Sequence, residues 1–252
     1  MKNKFTLYPQ KNLTGPENFP IVKLGKDDPL VELKQVTKIY PGGTTALKNI
    51  NVRFYSGEFV GVMGKSGAGK TTLVNVMSGI DHLTSGEVDL NGIAIGGLNE
   101  NQMAMWRGLN LGIVYQTNRL MPNLTLLDNI MLPMDLCGLY DPQASRNKAM
   151  DLLKAVELEE HANKLPSAIS GGQQQRVAIA RALANDPAII MADEPTGRLD
   201  SATSQVIYTI FEKLAGEGKL IIMVSHDLNI TGRLTRVIDL QDGEITRDSQ
   251  GV

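Results

Sequence analysis

An octapeptide in the first third of the chain has the residue types and spacing of a phosphate-binding loop. Residues 64–71 read Gly-Lys-Ser-Gly-Ala-Gly-Lys-Thr and fit the pattern G-x-x-x-x-G-K-[ST]. Glycines permit backbone angles that a Cβ would forbid, so successive N–H groups can converge on an anion. Lys70 offers a positive charge to the β- and γ-phosphates of a nucleotide, and the Thr71 hydroxyl can bind Mg²⁺. The residues predicted to hold the nucleotide here are Gly64, Lys65, Ser66, Gly67, Ala68, Gly69, Lys70, Thr71 and Thr72.

The segments on either side of this loop agree with a phosphate site. Residues 58–63 before it read as a buried strand, and residues 70–77 after it read as a helix. A helix that starts at the loop directs its free N–H groups and its positive dipole end at the anion. A plain glycine-rich turn is the alternative, and it would not need this strand–loop–helix context.

A pair of acidic residues follows a second apolar strand. Residues 188–192 are apolar, and Asp193 and Glu194 come directly after them. In phosphate-loop ATPases a strand beside the loop strand supplies an aspartate to the Mg²⁺ sphere, which is the role predicted for Asp193. Glu194 is then placed to orient or deprotonate the attacking water. A solvated strand end is the simpler interpretation, but the phosphate loop upstream favours a catalytic one.

A second glycine-rich helix start lies at residues 170–173, which read Ser-Gly-Gly-Gln. Ser170 and Gln173 have the spacing of a capping box, in which each side chain satisfies a free N–H group of the helix start. A helix start of this kind can also bind an anion. The chain therefore contains two candidate anion sites that are far apart in sequence.

Together these motifs resemble the nucleotide-binding domain of ABC transporters, over roughly residues 31–245. The motifs that match in order and spacing are residues 64–71, Gln116, residues 169–173, Asp193–Glu194, Leu199–Asp200 and His226. The resemblance implies an α/β P-loop NTPase fold, with a mostly parallel sheet core, an antiparallel β subdomain and an α-helical subdomain. It also implies ATP hydrolysis, with ATP and Mg²⁺ as cofactors.

The resemblance also implies roles for single residues. Tyr40 would stack on adenine, with core packing as the alternative for an aromatic residue at a strand end. Gln116 would contact Mg²⁺ and the attacking water, and His226 would contact the γ-phosphate. Arg198 stands where relatives often carry a small residue, and no role follows for it.

The same resemblance implies a head-to-tail homodimer with two ATP molecules between the copies. The residues that would bind the γ-phosphate held by the second copy are Ser170, Gly171, Gly172 and Gln173. Leu199 and Asp200 would lie at the contact between the copies. Each copy would thereby complete the reaction centre of the other.

Residues 79–87, 123–133 and 192–201 resemble the MacB/LolD/FtsE-like branch of the family. This resemblance implies an integral membrane permease with an extracytoplasmic domain as partner, and a location at the cytoplasmic face of the membrane. The region from Gln116 to about Leu139 would receive the permease. Its methionines at 121, 131 and 134 are either a soft docking surface or ordinary core packing.

The pattern of elements around these motifs predicts alternating strands and helices. Strands are predicted at residues 31–36, 46–54, 58–63, 86–90, 111–115, 189–192, 219–224 and 237–240. Helices are predicted at residues 70–77, from Leu126, from Pro142, and at residues 170–184, 201–215 and 227–233, with Ser201 as the cap of the fifth. Asn91–Gly92 is predicted to be a hairpin turn.

The predicted organisation is a polar extension at residues 1–30, an ATPase domain at residues 31–245 and a tail at residues 246–252. The extension contains four prolines and is predicted to be flexible, with an ordered interaction arm as the alternative. The helical subdomain is expected at about residues 118–170. Such alternation of strands and helices implies a mostly parallel sheet covered on both faces.

Composition disfavours several other classes of protein. The chain has 252 residues, of which 42% are hydrophobic, and a net charge of −2, so no bulk attraction to nucleic acid is expected. The one cysteine, Cys137, excludes an internal disulfide, and no apolar run approaches the roughly 18 residues of a membrane span. No signal-peptide segment is apparent at the N-terminus.

A chain with these motifs could have two functions other than that of a transporter ATPase. A soluble ABC-type ATPase acting on nucleic acid or ribosomes would usually carry two cassettes, a long coiled coil or zinc-binding cysteines, and none of these features is present in the sequence. A nucleotide-binding module without hydrolysis is disfavoured because the residues that hydrolysis needs are intact, namely Lys70, Asp193, Glu194 and His226.

Overall fold

The computed structural model describes residues 28–250, in which two sheets and six helices are arranged around the phosphate loop. The predicted extension at residues 1–30 lies almost wholly outside the described residues. The strands are β1 (Val31–Ile39), β2 (Thr45–Phe54), β3 (Phe59–Met63), β4 (Ser85–Leu90), β5 (Ile93–Ala94), β6 (Leu111–Tyr115), β7 (Ile189–Asp193), β8 (Leu220–Ser225), β9 (Arg236–Gln241) and β10 (Glu244–Gln250). The helices are α1 (Lys70–Met77), α2 (Glu100–Asn110), α3 (Leu126–Leu136), α4 (Pro142–Ala155), α5 (Gly171–Ala182) and α6 (Ser201–Gly216).

The central sheet has the strand order β10-β9-β3-β8-β7-β6 and is parallel except for the edge strand β10. Strands β3 and β8 are buried at every position, because helices and the second sheet cover both faces. This burial explains why they read in sequence as continuous apolar runs rather than as alternating ones. The predicted mostly parallel core is confirmed.

The second sheet is antiparallel, with the order β2-β1-β4-β5. Its inward side chains, among them Leu33, Val36 and Phe54, join the core cluster that also contains Leu73 of α1. Asn91 and Gly92 have φ angles of 53° and 78°, and they connect β4 to β5. Two consecutive positive φ angles are typical of the hairpin turn predicted there.

Helices α3, α4 and the first part of α5 form the helical subdomain around a core of their own, which contains Leu126, Ile130, Leu153 and Val177. Asp141 caps α4 and Pro142 is its first residue, as the sequence predicted. The three methionines for which the sequence allowed either a docking surface or core packing divide between the two. Met134 is buried and Met131 packs against the same cluster, whereas the Met121 side chain is 47% exposed.

Helix α2 was missed in the sequence because its apolar signal is weak. Only Met103 and Trp106 are buried apolar residues on it. Asn99 and Gln102 form a capping box at its start, with Gln102 N donating to Asn99 Oδ1 at 3.0 Å and Asn99 N donating to Gln102 Oε1 at 2.9 Å. That spacing was the one sequence signal that could have revealed the helix.

Two predicted boundaries differ from the structure. Residues 246–250 of the predicted tail belong to β10, and Arg236 of β9 holds this strand through two contacts of 2.7 Å to the Asp248 carboxylate. Helix α6 is capped by Asp200 and not by Ser201, since Thr203 N donates to Asp200 Oδ1 at 2.9 Å. Among residues 28–250, no helix has the length and apolarity needed to cross a membrane.

Buried Asn129 fixes the turn that leads from Gln116 to α3. Its Oδ1 accepts a hydrogen bond from Met121 N at 2.7 Å. Its Nδ2 donates to the carbonyls of Met121, Leu124 and Thr125 at 2.9–3.1 Å. One buried amide side chain therefore bonds to four backbone groups of the turn, with one of its two N–H groups shared between two carbonyls.

We predict that Asn129→Ala lowers the free energy of unfolding by about 2–4 kcal/mol, because buried backbone groups lose their partner. Asn129→Asp should cost more, since a carboxylate would face three carbonyl oxygens. Urea unfolding measures both, and Asn147→Ala, at an exposed position of α4, is the control and should change stability by less than about 0.5 kcal/mol. An Asn129→Ala protein as stable as the control would contradict this account.

Candidate functional site

The carboxyl edge of the central sheet brings the predicted site residues together. In the parallel register Met63 pairs with Ser225, Asp193 with Val224 and Tyr115 with Asp193. The residue after each strand end therefore emerges at the same edge of the sheet. Those residues are Gly64 after β3, Gln116 after β6, Glu194 after β7 and His226 after β8.

The phosphate loop follows β3 and requires glycine at two positions for steric reasons. A Cβ on Gly64 would lie 2.3 Å from Leu240 O, and a Cβ on Gly69 would lie 2.5 Å from Ala46 O. Gly69 also has a φ of 104° and caps α1 without a side-chain hydrogen bond. The first N–H groups of α1 are therefore left without a side-chain acceptor at the helix start, which suits an anion.

Lys70 places a buried ammonium group inside this loop. Its side chain is almost fully buried, and Nζ donates to Gly64 O at 2.7 Å and to Lys65 O at 3.0 Å. A buried charge needs such partners, because its desolvation is otherwise costly. Among the residues that the structure describes, no carboxylate lies within ion-pair distance of Nζ, although the charge of Asp193 acts on it from further away.

Asp193 and Thr71 meet where β7 ends beside α1. Thr71 Oγ1 donates to Asp193 Oδ1 at 3.3 Å. Burial raises the pKa of Asp193 above its ordinary value, and the charge of Glu194 adds to this, although the Thr71 hydrogen bond and the Lys70 charge oppose it. A carboxylate that is costly to ionise gains most from a nearby cation. No group of three or more His, Cys, Asp or Glu able to hold a metal occurs within residues 28–250.

Glu194 lies between the two other polar residues of the edge. Its Oε2 accepts from Gln116 Nε2 at 3.2 Å, and its Oε1 lies 3.1 Å from His226 Nδ1. Its φ of 46° is left-handed, and its N–H donates to Val224 O at 3.0 Å. Such a backbone is strained for a residue with a Cβ and persists only where the surroundings enforce it, often at functional sites.

Tyr40 lies beside the start of α1 and belongs to a polar network that the sequence did not reveal. Its hydroxyl donates to Asp81 Oδ2 at 2.8 Å and lies 3.4 Å from Thr72 Oγ1. Lys38 Nζ is 2.5 Å from Asp81 Oδ1 and 4.7 Å from the centroid of the Tyr40 ring. Lys38 is buried on β1 because an irregularity at Gln35, which has a φ of 51°, shifts the inward positions from residues 31 and 33 to residues 36 and 38. Regular alternation would place Lys38 on the other face, so no sequence signal revealed the network.

The Ser-Gly-Gly-Gln segment forms the predicted capping box at the start of α5. Gln173 N donates to Ser170 Oγ at 3.2 Å, and Ser170 N donates to Gln173 Oε1 at 2.9 Å. A Cβ on Gly172 would lie 2.6 Å from Thr203 Cγ2, so this helix start packs closely against the start of α6. Within the described chain no hydrogen bond joins residues 170–173 to the loop at residues 64–71.

The segment that follows Glu194 also packs against the site. Gly197 N donates to Glu194 O at 3.1 Å, and a Cβ on Gly197 would lie 2.9 Å from Gln116 Nε2. Leu199 and Asp200 come next, with Leu199 half-buried and Asp200 exposed. Arg198 is exposed, and nothing in the structure explains its presence.

The strand that carries the acidic pair does not lie directly beside the loop strand, as the sequence predicted, because β8 is inserted between β3 and β7. A phosphate loop, a parallel sheet and an acidic pair at the end of another strand of that sheet nevertheless define a phosphate-loop nucleoside triphosphatase. Comparison with known proteins identifies the family. The model of the ABC transporter family matches residues 47–197, and the chain belongs to that family. It is one of its ATP-hydrolysing cassettes.

Two relatives and one solved structure show how far the similarity extends. The ABC transporter ATP-binding protein MJ0796 of Methanocaldococcus jannaschii is 44% identical over 228 residues, which is 88% of this chain and 97% of that protein. The macrolide export ATP-binding/permease protein MacB of Pasteurella multocida is 39% identical over 226 residues, but this chain spans only 35% of it. A structure of a dimeric post-hydrolysis state of the MJ0796 cassette, bound to ADP and Pi, has a TM-score of 0.81 at 43% identity and covers 87% of this chain and 98% of that one.

We predict that Asp81→Asn destabilises the fold by about 1 kcal/mol near neutral pH. Burial alone would raise the pKa of Asp81, but the hydrogen bonds from Lys38 and Tyr40 outweigh it and hold the pKa below its ordinary value of 3.8. A lowered carboxyl pKa gives stability that is present above 3.8 and is lost as the pH falls through the folded-state value.

Urea unfolding of both proteins as a function of pH tests this prediction. The stability difference should be full at neutral pH and shrink as the pH falls below 3.8. Asp135→Asn, an exposed position at the end of α3, is the control. A difference for Asp81→Asn that persists unchanged in acid would show that charge plays no part in it.

Proposed function

We propose that this cassette binds Mg-ATP at the carboxyl edge of the central sheet and hydrolyses it in a head-to-tail pair with a second copy, and that this cycle drives a membrane permease. The observation that carries the proposal is the Glu194 carboxylate, held 3.2 Å from the Gln116 amide and 3.1 Å from the His226 ring beside the phosphate loop. Three polar groups converge where an attacking water would have to lie.

Binding of the nucleotide would use three parts of the site. The N–H groups of residues 64–72 and the Lys70 ammonium would hold the phosphates, in competition with the carbonyls that Lys70 contacts. Tyr40, anchored by Asp81 beside α1, would offer its ring to adenine. These contacts are spread along one line from β1 to the end of β3, which suits an extended triphosphate nucleotide.

The oxygens of Thr71 and Asp193 fit a magnesium ion, since Mg²⁺ usually takes only one or two protein oxygens and completes its sphere with phosphate and water. They lie 3.3 Å apart and face the loop. Gln116 would add its amide oxygen, because its nitrogen already donates to Glu194. Bound there, Mg²⁺ would neutralise charge on the β- and γ-phosphates.

Hydrolysis would depend on Glu194 as the group that orients the water and accepts its proton. Gln116 and His226 fix the two oxygens of the carboxylate, so that its rotation is restricted before the substrate arrives. His226 is the more exposed partner, with 63% of its side chain accessible. It is therefore free to contact the γ-phosphate as well.

A second copy would complete the site with its Ser170, Gly171, Gly172 and Gln173. These residues cap an exposed helix start that makes no hydrogen bond to the loop at residues 64–71 of its own copy. The cassette MJ0796 has been solved as a dimer, in one case with ADP and Pi. Leu199 and Asp200, next to the Glu194 segment, would then lie between the copies.

The permease would dock at the apolar surface around the end of α3. Met121, Leu136, Leu139 and Tyr140 are between 45% and 71% exposed there, and exposed apolar groups in one region often mark a protein contact. MacB relatives are named as ATP-binding/permease proteins, and this chain spans about 35% of their length. A partner with an extracytoplasmic domain would place the cassette at the cytoplasmic face of the membrane. With a net charge of −2, no nucleic-acid partner is proposed.

We predict that Glu194→Gln reduces phosphate release by about 10²-fold or more, because the amide cannot accept the proton of the water. ATP binding should survive, so gel filtration with Mg-ATP should show a shift from monomer to dimer. Lys70→Ala should lose both turnover and the shift, since the phosphates lose their main cation.

Glu160→Gln, at an exposed position far along the helical subdomain, is the matched control and should behave as the wild type in both assays. Full turnover in Glu194→Gln would refute the role of Glu194. A protein that stays monomeric at every Mg-ATP concentration would refute the paired arrangement.

A further inference from the structure

The Arg181 side chain, near the end of α5, donates hydrogen bonds to the backbone of the loop that follows Gln116. Its Nη1 donates to Arg119 O at 2.7 Å and its Nη2 donates to Asn118 O at 2.9 Å. It has no ion-pair partner among residues 28–250. The planar fork of a guanidinium group matches two consecutive carbonyl oxygens, which the single ammonium of lysine cannot do.

Two further contacts fix the same loop from the same helix. Gln175, which is buried, donates from Nε2 to Tyr115 O at 2.9 Å. Asn118 Nδ2 donates to Gln174 Oε1 at 2.8 Å. The backbone is thus held immediately before Gln116 and again two and three residues after it, in each case by a side chain of α5.

The backbone of residues 118 and 119, to which Arg181 donates, is strained at residue 119 and therefore needs the hydrogen bonds from α5. Arg119 has a left-handed φ of 48°, and its guanidinium stacks 3.8 Å above the Tyr115 ring. A long side chain at such a φ persists only where the surroundings enforce it. Burial lowers the pKa of Arg181, so its charge is kept there at a cost in desolvation. An aliphatic residue would avoid that cost but could not bind the carbonyls.

We propose that Arg181 is a positioning residue for ATP hydrolysis, which holds the loop so that the Gln116 amide reaches Glu194. The distance that it maintains is the 3.2 Å between Gln116 Nε2 and Glu194 Oε2. This inference rests on the proposed roles of Gln116 and Glu194. Arg181 would also connect α5, the helix that Ser170 caps, to the reaction centre of the same copy.

A double-mutant cycle on the full chain separates positioning from a merely structural role. The four proteins are the wild type, Arg181→Met, Gln116→Ala and the double variant, with phosphate release measured at saturating Mg-ATP and ATP affinity measured separately. Arg181→Met should lower kcat by about ten- to a hundredfold, since small misplacements of a reacting group have effects of this size. Its ATP affinity should stay within about twofold of the wild type, because the hydrogen bonds of Arg181 go to Asn118 O and Arg119 O, and the phosphate loop and the Thr71 and Asp193 ligands of Mg²⁺ stay in place.

In the Gln116→Ala background, Arg181→Met should cause no further loss of kcat. The kcat of Arg181→Lys should lie between those of the wild type and Arg181→Met, because lysine can bind one carbonyl at a time. If Arg181→Met does not fold, Arg181→Lys replaces it in the cycle. Arg176→Met is the matched control on the same helix, since Arg176 donates to Val156 O at 2.8 Å and pairs with Glu157 at 3.2 Å, away from the loop. It should lose stability but keep kcat.

Three results would overturn the inference. The first is a kcat of Arg181→Met equal to that of the Arg176→Met control. The second is a kcat of the double variant that falls by the product of the two single losses. The third is a loss of ATP affinity in Arg181→Met that is large enough to explain its whole loss of phosphate release. Gln116→Ala with full kcat would instead refute the proposed role of Gln116, and the inference would fall with it. The two failures are therefore distinguishable.

Discussion

The parallel register of β3, β6, β7 and β8 is the constraint on which the rest of the site depends. Side chains alternate between the two faces of a sheet, so a shift of one residue would turn every buried side chain to the opposite face and would move Glu194 away from Gln116. Because β3 and β8 are buried on both faces, apolar–polar alternation cannot fix this register, and close packing must do so. At Gly61 in β3, for example, a Cβ would lie only 2.3 Å from Leu234 Cδ1. The core thereby sets the positions of groups that contribute nothing to its own packing.

The site itself is kept at an energetic cost. Glu194 has a strained backbone, Asp193 is a carboxylate whose burial raises its pKa, and Lys70 is a buried ammonium held by two carbonyls. Each would be easier to replace by an apolar residue if stability were the only requirement. Their proximity at one sheet edge is what the proposed binding of Mg-ATP requires, since that substrate carries both phosphates and a cation.

Much of the fold could be predicted because its strongest signals are local. Strand β6 and helix α1 have the predicted bounds, and β3, β7 and β8 differ from the prediction by one residue. The site residues of the carboxyl edge each follow one of these strands directly in the chain, so a correctly predicted strand also gave the position of its site residue. The Asn91–Gly92 turn and the Asp141–Pro142 helix start were predictable for the same reason, since the residue types themselves specify the backbone.

What could not be predicted depends on contacts between distant parts of the chain. Strand β10 is an edge strand with alternating charges, and it is held by the pairing of Arg236 with Asp248 rather than by an apolar pattern. The support of Tyr40 by Lys38 and Asp81 spans more than 40 positions, and the grip of Arg181 on residues 118 and 119 spans about 60. No local sequence pattern specifies such contacts, although those of Tyr40 and Arg181 lie next to predicted site residues or involve them.

The central claim is that one copy supplies the phosphate loop and another supplies the helix start that completes it. Mixing Lys70→Ala with Ser170→Glu tests this claim, because each variant alone lacks one half of every site. A mixed pair contains one site with an intact loop from one copy and an intact Ser170 from the other. The account predicts that phosphate release rises on mixing, well above the sum of the two separate variants. Turnover equal to that sum, with both variants folded and the mixed pair formed, would contradict it.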